Sequence, residues 1–334
     1  MTYELFIREW QNREDYCVVH TSGSTGSPKE IHLSKALMSM SALRTLAFFN
    51  IPAGSRLHSC ISPDFIGGKM MAVRAIEGNM RLSWEEPSNR PALTGEDPRL
   101  SDLPAMISVV PSQMLHILDS CDPQRSATTI WLIGGQAIET ELRRRIAVSG
   151  LNAWESYGMT ETASHIALRK VEVNSTPFRP LDNVEISLDE RGCLVISQPH
   201  MAEIITNDMA VIDPDGGFTI TGRADNVIIT GGRKVQPESV EMRLKPAIAS
   251  SGVKEIMLSS TPDQKWGQRL VLLAEVAPDR RDIRLIPSII AAARTVLEPH
   301  EIPKEIRLVD SLPRTPNGKL RRSKTPLCCY ASIF

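Results

Sequence analysis

The chain has 334 residues with 38 basic and 39 acidic side chains, which gives a formal net charge of -1 at pH 7. This balance argues against a nucleic-acid-binding or membrane-surface protein. The six cysteines form no Cys-x-x-Cys pair or zinc spacing, and no apolar run approaches the ~20 residues that cross a bilayer. The N-terminal stretch also lacks a signal-peptide core, so we expect a soluble, cytoplasmic protein of about two domains.

Apolar segments of strand length alternate with helical patterns in the first half of the chain. A strand over Tyr16–Val19 leads into a loop rich in glycine and hydroxyl groups, after which Ser34 is placed to cap a helix running towards Phe49. The later predicted elements are strands at Leu57–Ser62, Met106–Val110 and Thr129–Ile133, and helices at Lys69–Ile76, Ser112–Leu118 and Glu139–Val148. This rhythm predicts an α/β fold with a largely parallel sheet covered by helices. The stretch Glu85–Pro104, with four prolines, is expected to be irregular.

The pattern changes after residue 180, where short strands are separated by turn residues. Hairpins are predicted around Asp189–Gly192 and Pro214–Gly217. Strands and helices mix again beyond these hairpins, with helices near Ser239–Leu244 and Ile286–Val296 and strands near Glu255–Leu258 and Leu270–Val276. We place the domain boundary between residues 224 and 225, which divides the chain into 1–224 and 225–334.

The loop between His20 and Ser34 carries the first chemical signal. Its backbone amides, hydroxyls and single ammonium group come from Thr21, Ser22, Gly23, Ser24, Thr25, Gly26 and Lys29. A strand, a glycine-rich loop and a helix in this order point unpaired donors at an anion, which predicts a phosphate-binding loop. A flexible linker is the alternative, but a linker is not expected directly after a buried-type strand.

The order of residues in this loop disfavours an ordinary P-loop phosphotransferase. A Walker A loop needs a serine or threonine after its lysine to hold magnesium. Here Glu30 follows Lys29, and the glycine spacing also differs.

Four motifs together carry a family resemblance. The loop sequence TSGSTGSPK resembles the phosphate loop of the adenylate-forming superfamily, which includes acyl-CoA synthetases, peptide-synthetase adenylation domains and luciferases. Motifs similar to others of that family follow in the family's order: YGMTE at 157–161, GRAD at 222–225 and PRTPNGK at 313–319. The chain is therefore identified as a member of this superfamily.

The resemblance implies an α/β adenylate-forming enzyme fold, with a large N-terminal α/β domain and a small mobile α+β C-terminal domain. About twenty residues precede the phosphate loop, whereas the usual member of the superfamily has a much longer segment there. The N-terminal domain is thus expected to be trimmed, as in the short bacterial o-succinylbenzoate–CoA ligases of menaquinone biosynthesis, which this chain resembles most. A second subunit would then be one way to complete the acyl pocket, so a homo-oligomer is possible.

The resemblance also implies catalytic roles. In this chemistry a carboxylate displaces pyrophosphate from ATP to give an acyl-adenylate, and positioning and cations carry the catalysis. Thr21 to Lys29 would hold the β- and γ-phosphates, Glu161 would bind Mg²⁺ and Thr160 would reach the α-phosphate. Lys319 would bridge the acyl carboxylate and the α-phosphate. Glu161 also fits the start of a helix, and Lys319 also fits a solvated basic run.

Nucleoside recognition is implied at three positions. Tyr157 would stack on the adenine, and Asp208 would take the ribose hydroxyls beside Arg223. Tyr157 also fits an ordinary core position. Asp208 also fits a turn, and Asn207 departs from the glycine that the family has before this aspartate.

The second half-reaction is expected to use coenzyme A. The family rotates its C-terminal domain about the position of Asp225 before a thiol attacks the adenylate. Gly231 and Gly232 would then let the pantetheine arm pass the backbone, although they also fit a plain hairpin turn. The segment DQKWGQ at 263–268 resembles another family motif and supports a complete C-terminal domain.

The acyl substrate is the least specified part of the prediction. Gly134 and Gly135 resemble the family's acyl-pocket and adenine-binding segment. The residues of these motifs are most similar to those of ligases whose substrate has two carboxylates. Lys69, Ser164 or His165 could hold the second carboxylate.

The sequence therefore predicts an ATP-, Mg²⁺- and CoA-dependent acid–CoA ligase, with 2-succinylbenzoate as its acid. One rival keeps the adenylation but loads a carrier protein. Another is a catalytically silent nucleotide-binding paralogue, against which the presence of both Glu161 and Lys319 argues. A P-loop phosphotransferase, which would release ADP rather than AMP, ranks last.

Overall fold

The computed structural model describes residues 1–21, 29–92, 104–120, 128–280, 282–314 and 320–322. The chain forms two compact units. The first comprises Met1–Ser187, Val195–Ile204 and Ile212–Thr219, and the second comprises Leu188–Leu194, Ile205–Val211 and Ile220–Phe334. Every helix in the described parts of the chain is too short or too polar to cross a membrane.

The first unit follows the predicted alternation of strands and helices. Its elements in chain order are α1 (Tyr3–Trp10), β1 (Tyr16–Thr21), β2 (Lys29–Ser34), α2 (Lys35–Phe48), β3 (Arg56–Ser59), α3 (Ile66–Glu77), β4 (Arg81–Trp84), β5 (Met106–Val109), α4 (Pro111–Ser120), β6 (Ile130–Ile133), α5 (Thr140–Val148), β7 (Asn152–Met159), β8 (Ser164–Lys170) and β9 (Arg179–Pro180). Glu85 to Ala92 contain no helix or strand, as predicted for the irregular stretch that begins there.

A seven-stranded sheet forms the centre of this unit, in the order β4-β3-β5-β6-β7-β8-β9. Neighbours from β4 to β7 are parallel, whereas β8 and β9 are antiparallel to the strands before them. All residues of β5 and β6 are buried, as expected for parallel strands that are covered on both faces. The predicted largely parallel α/β sheet is confirmed.

Two helices on this sheet begin and end at local signals in the sequence. The side chain of Ser34 accepts a hydrogen bond from Leu37 N and caps α2, as predicted. Gly78 lies at the C-cap of α3, where its N–H donates to Arg74 O.

The prediction of a helix directly after the phosphate loop is wrong. Strand β2 intervenes and pairs antiparallel with β1, so that Thr21 lies opposite Lys29. The sequence KEIHLS alternates with a period of two, and it turns Leu33 inward while Glu30 is exposed. The loop therefore connects the two strands of a hairpin, and its donors are not the first turn of α2.

The later strands include a four-stranded sheet made of β10 (Glu185–Leu188), β11 (Cys193–Ser197), β12 (Ile204–Ile212) and β13 (Phe218–Arg223). Their order is β10-β11-β12-β13, so each strand lies beside its sequence neighbour, as the two predicted hairpins require. The remaining elements of the second unit are β14 (Ile228–Thr230), β15 (Arg233–Val235), α6 (Pro237–Ala247), β16 (Val253–Asp263), β17 (Gly267–Val276), α7 (Leu285–Val296) and β18 (Glu305–Val309).

The second unit has its own hydrophobic core. Strand β17 pairs antiparallel with β16 and parallel with β18, and the inward residues of this sheet pack against α6 and α7. Val240 and Leu244 on α6 and Ile289 on α7 are fully buried in this core. These elements confirm the predicted mixture of strands and helices in this part of the chain.

Candidate active site

The carboxyl ends of β6 and β7 bring two of the predicted motifs together. Gly134 follows β6, and a Cβ at this position would lie 2.6 Å from Ser156 Oγ on β7. Gly135 has a φ of 85°, a left-handed conformation that glycine adopts without strain. In open α/β sheets, ligands bind outside the carboxyl ends of the strands. The glycine segment and the YGMTE motif therefore share the edge at which a nucleotide is expected.

A buried carboxylate on β7 accepts hydrogen bonds from three neighbouring segments of the chain. Glu155 on β7 accepts hydrogen bonds from Ile138 N at 3.0 Å, from Arg169 Nε at 2.7 Å and from Arg143 Nη2. Only 1% of the Glu155 surface is exposed. Burial lowers the pKa of the Arg169 guanidinium, an effect that Glu155 opposes. The carboxylate thus sets the position of the chain that follows Gly135.

The YGMTE motif ends in a strained turn between β7 and β8. Ala163 and Ser164 have φ values of 52° and 82°, which are rare for residues with a side chain. The Thr162 hydroxyl accepts from Met159 N at 3.0 Å and lies 2.7 Å from Ser164 O, to which it donates. Backbone strain of this kind persists where the surroundings enforce it.

A close approach explains the glycine of this motif. A Cβ on Gly158 would lie 2.1 Å from Ser164 O. The pairing of β7 with β8 is also irregular there, with a register shift between Tyr157 and Gly158.

Glu161 occupies this turn rather than the first turn of a helix, so the helix-start alternative is wrong. Its side chain is half-buried, and it makes no hydrogen bond or ion pair with any other residue in the described part of the chain. An uncommitted carboxylate oxygen is a ligand that Mg²⁺ accepts. The donor chemistry and geometry at Glu161 therefore fit the metal. Thr160 lies beside it in the same turn.

Tyr157 lies on an aromatic cluster. Its ring centroid is 5.7 Å from that of Phe178 and 5.2 Å from that of Phe218. The guanidinium carbon of Arg169 lies 4.0 Å from the Phe178 ring centroid. The phenol is therefore held at a fixed angle, while its side chain stays only half-buried.

Three predicted residues of the second unit form one ionic cluster. Arg223 donates to Asp208 Oδ1 at 2.7 Å and makes two bonds of 3.0 Å to the carboxylate of Asp225. These partners, Asp225 first, raise the pKa of Arg223 above its usual value. Asp225 itself lies in a short 3-10 turn over Ala224–Asn226. The residues assigned to the ribose and to the hinge are thus linked through one guanidinium.

Gly231 and Gly232 form the two-residue turn of the β14–β15 hairpin, with φ values of 54° and 77°. The hairpin-turn alternative is therefore what the structure has, although it leaves a role in thiol passage open. Gly231 N donates to Trp266 O at 2.9 Å, and a Cβ on Gly231 would lie 2.8 Å from the Trp266 ring. Around Gly232 a Cβ would meet nothing within 4 Å. The DQKWGQ segment thus packs directly against this turn.

Lys69 lies on α3 against the N-terminal helix. Its Nζ is 4.5 Å from the Phe6 ring centroid, 4.0 Å from Glu9 Oε2 and 3.0 Å from Met1 Sδ. The side chain is almost completely buried, and burial lowers the pKa of its ammonium group. Lys69 contacts α1, whereas Ser164 and His165 contact other residues, so these three candidates do not form one group.

His165 contacts the buried Arg74 and feels the charge of the buried Arg44, and neither arginine was predicted as a site residue. Its Nδ1 is 3.4 Å from Arg74 Nη2, and its Nε2 is 3.0 Å from Thr45 Oγ1. Ser164 Oγ is 3.5 Å from His165 Nδ1. Burial, together with Arg74 and Arg44, lowers the pKa of His165 well below its usual value. The imidazole is therefore neutral and supplies no charge for a substrate carboxylate.

Arg44 and Arg74 do supply such charge. Arg44 Nη1 donates to Gln198 Oε1 at 2.9 Å and to Asp182 O at 3.2 Å, but its Nε and Nη2 and the Nε of Arg74 have no hydrogen-bond acceptor. Burial lowers the pKa of Arg44 to about 10 and that of Arg74 to about 9. The sequence offers a weak signal for both, since each arginine stands in a helix that is rich in apolar residues.

Two parts of the predicted site lie outside the described residues. They are the loop residues Ser22, Gly23, Ser24, Thr25 and Gly26, and the catalytic candidate Lys319. The side chains of Thr21 and Lys29 are also not described, although their backbones belong to β1 and β2.

Comparison with known proteins identifies the family. The AMP-binding enzyme model matches residues 6–205, and the model of the AMP-binding enzyme C-terminal domain matches residues 247–319. The chain belongs to the AMP-binding enzyme family. A 2-succinylbenzoate–CoA ligase of Listeria monocytogenes serotype 4b is 26% identical over 352 residues, which cover 95% of this chain and 71% of the ligase.

Solved structures agree with the fold. An acyl-CoA synthetase (AMP-forming)/AMP-acid ligase II-like protein from Dyadobacter fermentans is 31% identical, with a TM-score of 0.60 and coverage of 94% of this chain and 90% of that chain. The o-succinylbenzoate CoA synthetase of Bacillus subtilis, solved with ATP and a magnesium ion, is 20% identical, with a TM-score of 0.74 and coverage of 92% and 69%.

These matches confirm the predicted superfamily, the adenylate-forming fold and the class of enzyme, an AMP-forming acid–CoA ligase. The Listeria relative is named for coenzyme A, and the Bacillus structure holds ATP and a magnesium ion.

Proposed function

We propose that the protein converts 2-succinylbenzoate, ATP and coenzyme A to 2-succinylbenzoyl-CoA, AMP and pyrophosphate, in the cytoplasm and as a step of menaquinone biosynthesis. The observation that carries the choice of acid is the buried pair Arg44 and Arg74. Both guanidinium groups have N–H groups without an acceptor, and among the described residues no carboxylate lies within ion-pair distance of either. Such groups are costly to bury. An acid with a second carboxylate would satisfy them.

The position of this pair supports the proposal. Arg74 contacts His165, which follows the strained turn that carries Glu161. The reacting carboxylate would be bound near this turn, and the second carboxylate would extend towards the arginines. A single-carboxylate acid would leave the guanidinium groups unpaired.

The reaction would proceed in two steps. A carboxylate oxygen attacks the α-phosphorus of ATP, and the bond to pyrophosphate breaks, which leaves an acyl-adenylate. The thiol sulfur of coenzyme A then attacks the acyl carbonyl, loses its proton to solvent, and expels AMP. Mg²⁺ held by Glu161 would neutralise phosphate charge when bound.

The side chains of this chain would orient the reactants. Glu155 fixes the strand end that carries Tyr157, and Tyr157 would offer one ring face to the adenine. Asp208, paired with Arg223, would bind the ribose hydroxyls. Lys319 would bridge the acyl carboxylate and the α-phosphate in the first step only, and a turn about Asp225 would then bring Gly231 and Gly232 to the thiol.

An acid panel tests the proposal. ATP–pyrophosphate exchange is measured with 2-succinylbenzoate, benzoate and ferulate, followed by product analysis with coenzyme A and with a holo-carrier protein. We expect the highest kcat/KM with 2-succinylbenzoate and thioester formation on coenzyme A. Transfer to the carrier protein alone would show that the acceptor is a carrier-protein thiol instead of coenzyme A. Absence of exchange with every acid would favour a silent nucleotide-binding protein.

The arginine pair has its own control within the panel. Arg74→Lys keeps the charge but loses the planar donor set, so the KM for 2-succinylbenzoate should rise by about 10–100-fold, which corresponds to the ~1.5–3 kcal/mol of a hydrogen bond to a charged group. The KM for benzoate should stay within about twofold, since benzoate has no second carboxylate. Equal changes for both acids would contradict this role.

Light scattering of the purified chain, with and without acid, tests whether the protein is a homo-oligomer.

A further inference from the structure

A second cluster of potential ligands lies at the opposite edge of the seven-stranded sheet from β8 and β9. His58 is on β3, Cys60 follows β3 directly, and Glu85 follows β4 directly. One nitrogen, one sulfur and one carboxylate oxygen from these side chains lie within 4.8 Å of one another. None of the three residues belongs to the motifs assigned to ATP, acid or coenzyme A.

Strand register explains why these side chains converge. β3 and β4 are parallel neighbours in which His58 lies opposite Ser83. Cys60 is two residues beyond His58, and Glu85 is two residues beyond Ser83, so all four side chains point to the same face of the sheet. The Glu85 N–H donates to Ser59 O, which continues the ladder past the ends of both strands.

The Ser83 hydroxyl and the Ala92 N–H orient two of the three side chains. Ser83 Oγ lies 3.2 Å from Leu57 O, to which it donates, and 2.9 Å from His58 Nδ1. In this arrangement Nδ1 would carry the proton, and Nε2 would carry the lone pair that a metal needs. Ala92 N donates to Glu85 Oε2 at 2.8 Å. Second-shell contacts of this kind orient the ligands in metal sites.

One ligand atom of His58 and one of Glu85 lack a hydrogen-bond partner and lie close together. His58 Nε2 and Glu85 Oε1 are buried and have no hydrogen-bond partner, and they are 3.9 Å apart. This distance is too long for a direct hydrogen bond. His58 is 6% exposed and Cys60 is 1% exposed, whereas the Glu85 side chain is 19% exposed and leaves a path from solvent. Buried polar atoms of this kind need an explanation.

The geometry points to a Zn²⁺ site with His58 Nε2, Cys60 Sγ and Glu85 Oε1 as its three protein ligands. Zn²⁺ binds nitrogen, sulfur and oxygen at about 2.0–2.3 Å, which places tetrahedral ligands about 3.3–3.6 Å apart. The His58–Glu85 separation of 3.9 Å therefore needs to close by about half an ångström, and the separations from Cys60 Sγ, which lie within 4.8 Å, by up to roughly an ångström. A neutral imidazole, a thiolate and a carboxylate balance the charge of the ion, and the thiol proton passes to solvent on binding.

The site would hold the edge strand β4 to β3 and leave a fourth position for water. Its ligands are softer than the oxygen ligands that Mg²⁺ selects. Zn²⁺ at this site and Mg²⁺ at Glu161 are therefore not expected to exchange places. The inference does not depend on which acid the enzyme activates.

Metal titration of the full-length protein tests the inference. After dialysis against a chelator, the protein is titrated with ZnCl₂ alone by calorimetry and with CoCl₂ alone by absorption spectroscopy. We expect uptake of one equivalent of Zn²⁺ and a thiolate-to-Co²⁺ charge-transfer band. Cys60→Ser should abolish the band and weaken Zn²⁺ binding by more than about 100-fold, and Ser83→Ala should weaken it by about 10–100-fold.

Matched variants separate this site from other thiols. Cys17 is also buried and free but lies on β1, so Cys17→Ser should leave the band and the affinity unchanged. Cys328→Ser/Cys329→Ser should also retain both. Glu85→Gln preserves volume and hydrogen bonding to Ala92, and circular dichroism of each variant establishes folding. The inference is overturned if wild-type protein takes up no Zn²⁺, or if the band survives Cys60→Ser.

Discussion

Replacement of Glu155 is the sharpest test of how the fold supports the site. Its carboxylate receives two guanidinium groups and the N–H of Ile138, and both Glu155 and Arg143 are buried. Glu155→Ala would leave two cations in a low-dielectric interior without a counter-ion. Breaking a buried pair in this way costs about 3–5 kcal/mol. At ~2–4 °C per kcal/mol, the melting temperature of the first unit should fall by roughly 6–20 °C.

The measurements are urea unfolding for the free energy and thermal unfolding for the melting temperature, both followed by tryptophan fluorescence, since Trp131 and Trp154 lie on β6 and β7. Glu161→Gln is the matched control, because Glu161 has no partner in the described part of the chain and its loss should change stability by less than about 0.5 kcal/mol. Glu155→Ala should also raise the KM for ATP, since Ile138 follows the glycine segment. A loss of stability below about 1 kcal/mol for Glu155→Ala would refute the argument.

The remaining predictions concern the two half-reactions. Lys319→Ala should abolish ATP–pyrophosphate exchange while sparing thiolysis of supplied acyl-adenylate; exchange at the parental rate would remove the role given to this lysine. Gly231→Ala should slow thiolysis more than Gly232→Ala, because only the first substitution meets the Trp266 ring. Both substitutions place an alanine in the left-handed conformation, which costs about 1–2 kcal/mol in each variant. Equal thiolysis rates in the two variants would contradict the steric argument. Arg322→Lys should reduce exchange about tenfold or more without a change in thiolysis, because it removes the paired hydrogen bonds to Glu241 three residues from Lys319; equal loss of both half-reactions would contradict it.

Elements with a local signal at their ends were predictable. The Ser34 cap and the Gly78 C-cap define α2 and α3 because each satisfies backbone groups with a neighbour in sequence. The buried strands β5 and β6 were predictable because parallel central strands are apolar on both faces. Strand β2 was missed because its alternation rests on two apolar residues, Ile31 and Leu33, and pairing with β1 is what defines it.

Residues that would contact the ligand were easier to predict than the residues that hold them. The motif residues Tyr157 and Glu161 stand in fixed sequence patterns, and the structure places both at the end of β7 or just beyond it. Glu155 has no such pattern, since its partners are supplied by α5 and β8. Arg44 and Arg74 were missed because arginine is exposed by default, and burial between α2, α3 and β8 is a tertiary property.

The end of the chain illustrates the same dependence on distant partners. Arg322 makes two hydrogen bonds to the carboxylate of Glu241, at 2.8 and 2.6 Å, and Glu241 also accepts from Leu258 N at 2.6 Å. Burial raises the pKa of Glu241, which Arg322 opposes. Arg322 follows Lys319 by three residues in the sequence, so the proposed catalytic lysine is close along the chain to a residue that a buried carboxylate on α6 holds in place.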